Sequence, residues 1–380
     1  MRKIAFLTGS RGEWGYIRPI IEIIRKDSSL DYQILATHMQ LLPEFGMAVN
    51  EIEKGGFKIH EKLYMTLDGY SSQTMTKSLG ILLMELTTSL ARLQPDILVL
   101  AGDRGEQLMG AIAASHMKIP VAHIQAGELS GNIDGIVRHA ITKLIHIHFC
   151  ANPEFADRVR KMGEQEFRIF HTGAPQIDEL RNGKFTSIDD INDKFKLSSK
   201  EKMLLVVQHP VTEEEENVTE HAKETIEAVK ETDLPAIIIY PNADAGSGEL
   251  RKLLLKLKRN KMQLYRNLPR EDYLGLMRRA TAIVGNSSSG LLEAPTFGLP
   301  AVNVGRRQIG RLQGENVINV EKYDKQKILE AINFATSDDF QQLAQKSTNP
   351  YGDGNSSQRI VDILKIIEIN DELLNKAMTY

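Results

Sequence analysis

An apolar run, IPVA (119–122), leads into HIQAGELSGNIDGIVRHA (123–140). This stretch holds Glu128, Asp134, Arg138, His123 and His139, with glycines and the small polar Ser130 and Asn132 among them. Carboxylates, a cation and histidines on a glycine-loosened segment after a buried strand are the parts of an acid–base site. LAGDRGEQ (100–107) repeats the theme by placing Asp103 and Arg104 at another strand end, where loops carry ligands. Asp103 is also suited to capping the helix that follows. Asp134 and Arg138 stand four apart; as a surface pair they would contribute about 0.2–0.5 kcal/mol. Ile133, Val137, Ile141 and Leu144 mark the expected buried stripe of their helix, which turns the pair to water or to a cleft.

A second set of residues suits an anion. LTGSRGEWGYIRP (7–19) reads as strand, glycine turn and helix, with Gly9, Gly12 and Gly15 spaced G-x-x-G-x-x-G. That is neither the dinucleotide fingerprint nor a P-loop, so no NAD or ATP chemistry is implied. Ser10 and Arg11 fall at the helix N-terminus, where outward amide donors favour an anion; an ordinary tight turn with an exposed arginine fits the same residues. In VGNSSSGLLEAPTFGLP (284–300), Ser287, Ser288, Ser289 and Gly290 follow a buried strand and open a helix. Their hydroxyls and N–H groups suit a pyrophosphate, with Glu293 one to two turns on for ribose hydroxyls. A serine cap and a surface glutamate are the plainer alternative. GRRQIGR (305–311) supplies Arg306, Arg307 and Arg311, one for the cleft and the others for the surface. VVQHP (206–210) ends a strand with His209, facing a binding crevice or bonded to backbone. HIH (146–148) lacks the companions of a zinc site and reads as structural. Asp353 of YGDGN (351–355) either reaches the cleft or shapes its turn. No metal or cofactor is implied.

The elements that must position these residues alternate. Strands are expected at 3–8, 32–37, 96–102, 119–125, 146–151 and 168–173, and again at 202–210, 235–242, 262–267, 281–289, 300–305 and 316–320. Most are continuously apolar, as parallel strands covered on both faces must be. Helical stretches such as 16–27, 105–117 and 221–232 separate them. TEEEEN (212–217) reads as an acidic first helical turn, capped by Thr212 with Glu215 completing a capping box. Two βαβ blocks joined near 173–184 imply an α/β chain of two doubly wound, Rossmann-like domains with a central cleft. The expected limits are 1–175 and 176–357. A last helix over 358–378, within 358–380, has apolar Ile360, Ile363, Leu364 and Ile367 and is expected to pack back onto the body.

Composition agrees. The chain has 380 residues, too many for one ordinary core, with 42% hydrophobic and 26% charged residues. A net charge of −3 provides no global field for nucleic acid or an anionic membrane, so anions must be held locally. The single Cys150 forms no internal disulfide, fitting a reducing cytoplasm. No signal peptide and no membrane span are expected.

Taken in order, GSRGE, GDR, AGELSGNIDGIVRHAITKL, QHP, YPNADAGS, GNSSSG, GRRQIGR, GENV and YGDGN resemble the hydrolysing UDP-N-acetylglucosamine 2-epimerases over nearly the whole chain. The resemblance implies a glycosyltransferase-B-type fold and UDP bound mainly by the second domain. It also implies release of UDP with inversion at C2, giving a free mannosamine-type sugar for sialic-type acid biosynthesis. It assigns Arg11, His209, Ser287, Ser288, Glu293 and Arg307 to UDP; the residue reading adds Arg104, Gln125, Ser289 and Gly290 as candidate substrate contacts. Asp103, Glu128, Asp134 and Arg138 fall on its sugar-side catalytic positions. A homodimer or homotetramer is implied. ATHMQLLPEFG (36–46) departs from the regulatory glutamine–histidine patch of the non-hydrolysing relatives. Gln125 stands where the enzymes acting on UDP-N-acetylglucosamine often carry glutamate, which opens a second reading: the same reaction on UDP-N,N′-diacetylbacillosamine, toward legionaminic acid. The expected chemistry is elimination to a glycal with Asp103 or Glu128 as base, then hydration, with His209 assisting the phosphate. A glycosyltransferase and a nucleotide-sugar sensor are the rival readings.

Overall fold

In the computed structural model, the first sheet is seven-stranded and holds β1 (Arg2–Thr8), β2 (Leu30–Thr37), β3 (Glu61–Leu63), β4 (Ile97–Ala101), β5 (Val121–Ile124), β6 (Ile147–Cys150) and β7 (Ile169–His171). The second is six-stranded, with β8 (Leu204–Val207), β9 (Ala236–Ile239), β10 (Met262–Tyr265), β11 (Ala282–Gly285), β12 (Ala301–Val304) and β13 (Val317–Val320). The structure describes all residues except 69–70, 132, 184 and 257–260. Asn132 of the acidic segment, and the last residue of the 173–184 joint, lie outside the described residues.

Strand pairing is parallel in both sheets, in the orders β3-β2-β1-β4-β5-β6-β7 and β10-β9-β8-β11-β12-β13. Side chains alternate between two buried faces. Ile4 and Phe6 enter one core, Ala5 and Leu7 another. Leu205 and Val207 likewise separate from Leu204 and Val206. This period of two, with helices on both faces, is why the strands read as unbroken apolar runs. In each sheet the strand order reverses at the central pair, β1/β4 and β8/β11. Ligands bind outside the carboxyl ends of such a switch point. The architecture is two Rossmann-like halves facing a cleft, of glycosyltransferase-B type.

Four details differ from the sequence reading. The charged three-residue edge strand β3 carries too little pattern to be read. The helix expected over 358–378 is two pieces, Ser356–Ile366 and Asp371–Leu374; Ile367 turns extended, and the Asn370 side chain caps the second piece. Ile360, Val361, Leu364 and Leu373 join the core that holds Trp14 and Ile17. Residues 212–217 form a 3-10 turn without a side-chain cap, because Val211 occupies the cap position and Glu214 leaves helical geometry; Glu215 accepts from the Ser72 hydroxyl at 2.7 Å. Ile133, expected in a buried stripe, is exposed, whereas Ile141 is buried. No helix among the described residues is long and apolar enough to cross a membrane.

Candidate active site

The two switch points face one cleft enclosing about 1330 Å³ of empty space, part of it open to solvent. Arg11, Asp103 and Arg104 line it from the first half; His209, Ser287–Ser289, Glu293 and Arg307 line it from the second. Close backbone approach joins the walls: Gly131 N–H donates to the Arg307 carbonyl at 3.2 Å, and a Cβ on Gly131 would sit 2.1 Å from the Arg306 carbonyl oxygen. Only glycine permits that contact.

The second wall is built from β8 and β11. Gly285, at φ 129°, ends β11 so close to β8 that a Cβ would lie 2.3 Å from the Val207 carbonyl oxygen. Asn286 then accepts from the His209 N–H at 2.7 Å and donates to the His209 carbonyl at 2.9 Å. The His209 ring accepts at Nδ1 from the Asn242 N–H at 3.0 Å, so Nε2 carries the proton. Burial, with Arg307, Arg11 and Arg104 nearby, holds its pKa well below the ordinary histidine value. His209 is therefore a neutral donor. The serine helix is one turn only, Ser289–Leu292, with Glu293 at its C-cap rather than deeper in. Glu293 pairs with Arg270 at 2.5 Å, and Arg270 also holds Glu179 at 2.9 Å. Gly290 does not line the cleft; its missing Cβ lets the turn pack on Ala301.

In the glycine turn after β1, two amides are taken up within the chain itself. Glu13 accepts from the Gly9 and Ser10 N–H groups, so the helix's own carboxylate occupies them. Burial and the neighbouring Glu106 push Glu13 up to about 8. Arg11 and Gly12 open the helix and line the cleft, and the Arg11 guanidinium reaches Asn267 of the opposite half.

Asp103 lines the cleft, and behind it Glu128, Arg138 and Arg311 complete a lattice of two arginines and two carboxylates. Arg138, fully buried, reaches Asp103 and, at 3.4 Å, Glu128. It is thus not the surface partner of Asp134. Arg311, supplied by the second half, lies 3.5 Å from Asp103 and 3.4 Å from Glu128. Burial raises Asp103, but Arg138, Arg311, Arg307 and Arg104 outweigh it and hold the carboxyl at about 2. Glu128, without exposed surface, is raised by burial despite the same two arginines. Asp134 lies 3.6 Å from Arg307; burial, then Asp103 and Asp244, push it up to about 7. Carboxylates with separated proton affinities are what acid and base roles require.

Other singled-out residues sit apart. Gln125 is buried in left-handed backbone (φ 67°), its Oε1 near Gly102 rather than on the cleft wall. His123 bonds the Gly102 carbonyl through Nε2, and His148 bonds Glu164 at 3.0 Å. His146 accepts from the Val121 N–H. Asp353 pairs with Arg359 at the surface and shapes its turn. Arg306 is exposed. The sequence offers Arg306, Arg307 and Arg311 together without separating them, and gives Asp244 no role. Asp244 holds Arg104 at 2.8 Å across the cleft. The position of YPNADAGS, just past the strand beside β8, was the available signal.

A family model described as UDP-N-acetylglucosamine 2-epimerase matches residues 22–365. A Legionella pneumophila UDP-N,N′-diacetylbacillosamine 2-epimerase (hydrolyzing) is 35% identical, covering 100% of both chains. A Campylobacter jejuni GDP/UDP-N,N′-diacetylbacillosamine 2-epimerase (hydrolyzing) is 33% identical over 87% of both. The fold is similar to that of the Neisseria meningitidis UDP-GlcNAc 2-epimerase solved with UDP-GlcNAc bound: TM-score 0.79, 20% identity, 95% of this chain and 99% of that one.

Proposed function

The chain belongs to the UDP-N-acetylglucosamine 2-epimerase family, and we propose that it is a hydrolysing member, converting UDP-N-acetylglucosamine to UDP and free N-acetylmannosamine. The carrying observation is that the serine triplet with His209 and the Asp103 wall face one cleft, with arginines reaching between them. The C2 proton of a hexosamine becomes removable only as the C1–O bond breaks and C1 gains positive character. Ser287, Ser288, Ser289, Arg11, Arg307 and the neutral Nε2–H of His209 receive the charge growing on the departing diphosphate. Asp103 or Glu128 takes the C2 proton, and a glycal forms. Water then adds at C1, and a proton returns to C2 on the opposite face. Asp134, protonated in part near neutrality, is suited to return it.

The same machinery supports a second sugar, UDP-N,N′-diacetylbacillosamine, favoured by the activities named for the Legionella and Campylobacter relatives. Supplying each nucleotide sugar to purified protein and identifying the freed sugar by NMR decides between them. In heavy water, a product lacking deuterium at C2 would exclude elimination. Release of neither UDP nor sugar without an acceptor would return the chain to the transferase or sensor reading.

A further inference from the structure

Four charged side chains alternate in sign across the cleft. Arg104, after β4, meets Asp244, after β9, at 2.8 Å. Asp244 lies 4.0 Å from Arg307, and Arg307 lies 3.6 Å from Asp134 on the first half. Asn242 donates to Asp244 and steadies it. Arg307 also reaches the Asn286 carbonyl at 3.4 Å, directly before the serine triplet. An acid this close to a diphosphate pocket opposes the ligand's charge, so its presence needs another explanation. Here the two aspartates hold Arg307 where the diphosphate would otherwise hold it.

We propose that these four residues form a partner-exchange relay: a bound diphosphate draws Arg307 from Asp134 and Asp244, and Asp134 takes up a proton from solvent as the nucleotide seats. The inference deepens the UDP-sugar reading and rests on it. The charges facing Asp134 are Asp103, Asp244, Arg307 and Arg104, with Arg138 one turn along its own helix committed to Asp103 and Glu128. Exchange takes Arg307 away from Asp134 and brings further negative charge near it, and both changes favour the neutral acid. The relay thus readies a proton for C2 only when there is a leaving group to bind. Asp244 is a positioning residue, because it anchors Arg104 and sets the field at Asp134.

The test is calorimetric titration of the full chain with UDP at pH 7.5, repeated in buffers of different ionisation enthalpy to count protons. Wild type takes up protons relative to Asp134→Asn, in which the uptake is lost while UDP still binds. The nucleotide's own ionisation is common to both proteins and cancels. In Asp244→Asn, the pH of maximal uptake moves downward, since Asp134 loses a negative neighbour; a merely structural role would change the melting temperature without moving that pH. Equal proton counts in wild type and Asp134→Asn overturn the relay alone. Absence of UDP binding to wild type overturns the UDP-sugar reading and the relay with it.

Discussion

The two crevice walls occupy equivalent places in their sheets, the carboxyl ends of β1/β4 and of β8/β11, yet their chemistry is opposite. The second wall presents groups that stay donors across the working pH range: serine hydroxyls, an imidazole held neutral, and arginine. The first presents carboxylates of unequal proton affinity: against burial its arginines hold Asp103 at about 2, while burial with Asp103 and Asp244 pushes Asp134 up to about 7. Gripping a leaving anion calls for donors that do not titrate away. Moving a proton off and onto carbon calls for acids of unequal strength. One fold supplies both because its loops, not its strands, carry the side chains.

The sharpest break of that contrast is Asp103→Asn. Turnover should fall by ~10²–10⁴-fold while UDP affinity stays within a few-fold, since Asp103 pairs with Arg138 and Arg311 and not with the serine triplet or His209. Assay of released UDP beside calorimetry reads both; parallel loss of binding and turnover would erase the distinction between walls.

Next in size is Arg138→Met. It removes one of the two arginines from buried Glu128 and leaves Arg311 at 3.4 Å, a kind of loss worth about 3–5 kcal/mol. Urea unfolding should show it, and an unchanged midpoint would mean that the acid lattice relaxes freely. On the other wall, Ser288→Ala should weaken UDP by roughly tenfold, the loss of one hydrogen bond to a charged group. Turnover at saturation should fall as well, because Ser288 meets charge that grows as the diphosphate departs.

Stability should also fall in acid. Burial holds His123 at about 3 and His146 and His148 at about 4, below the ordinary 6.5. Between those values the unfolded chain binds protons that the folded chain refuses. Their stabilisation is therefore complete above pH 6.5 and lost as pH drops toward 4, by up to about 1.4 kcal/mol per pH unit for each histidine. Unfolding midpoints at pH 7 and 5, with and without His148→Gln, measure the slope. The smallest effect is expected from Asp353→Asn, which breaks an exposed pair and should leave turnover unchanged.

Strand positions were legible because apolar runs of five or so residues between turn formers have few other solutions. The four-residue β12 was as readable as the seven-residue β1. The serine triplet, His209 and Asp103 were legible for a related reason: strand ends in a doubly wound sheet point at the crevice, so location follows from order along the chain. The short β3, the break at Ile367 and the 3-10 turn at 212–217 were not, since each depends on what packs alongside.

What the sequence determined alone was the pair of parallel sheets and the roster of polar groups at their carboxyl ends, because both follow from local periodicity. Partnership was decided by tertiary structure. Asp134 and Arg138, neighbours on one helix, pair with different residues, Arg307 on one side and Asp103 with Glu128 on the other. Arg311, more than 180 residues beyond Glu128 in the chain, joins its lattice from the opposite half. Charges find partners by distance in space, and that distance is set only when the two halves close on each other.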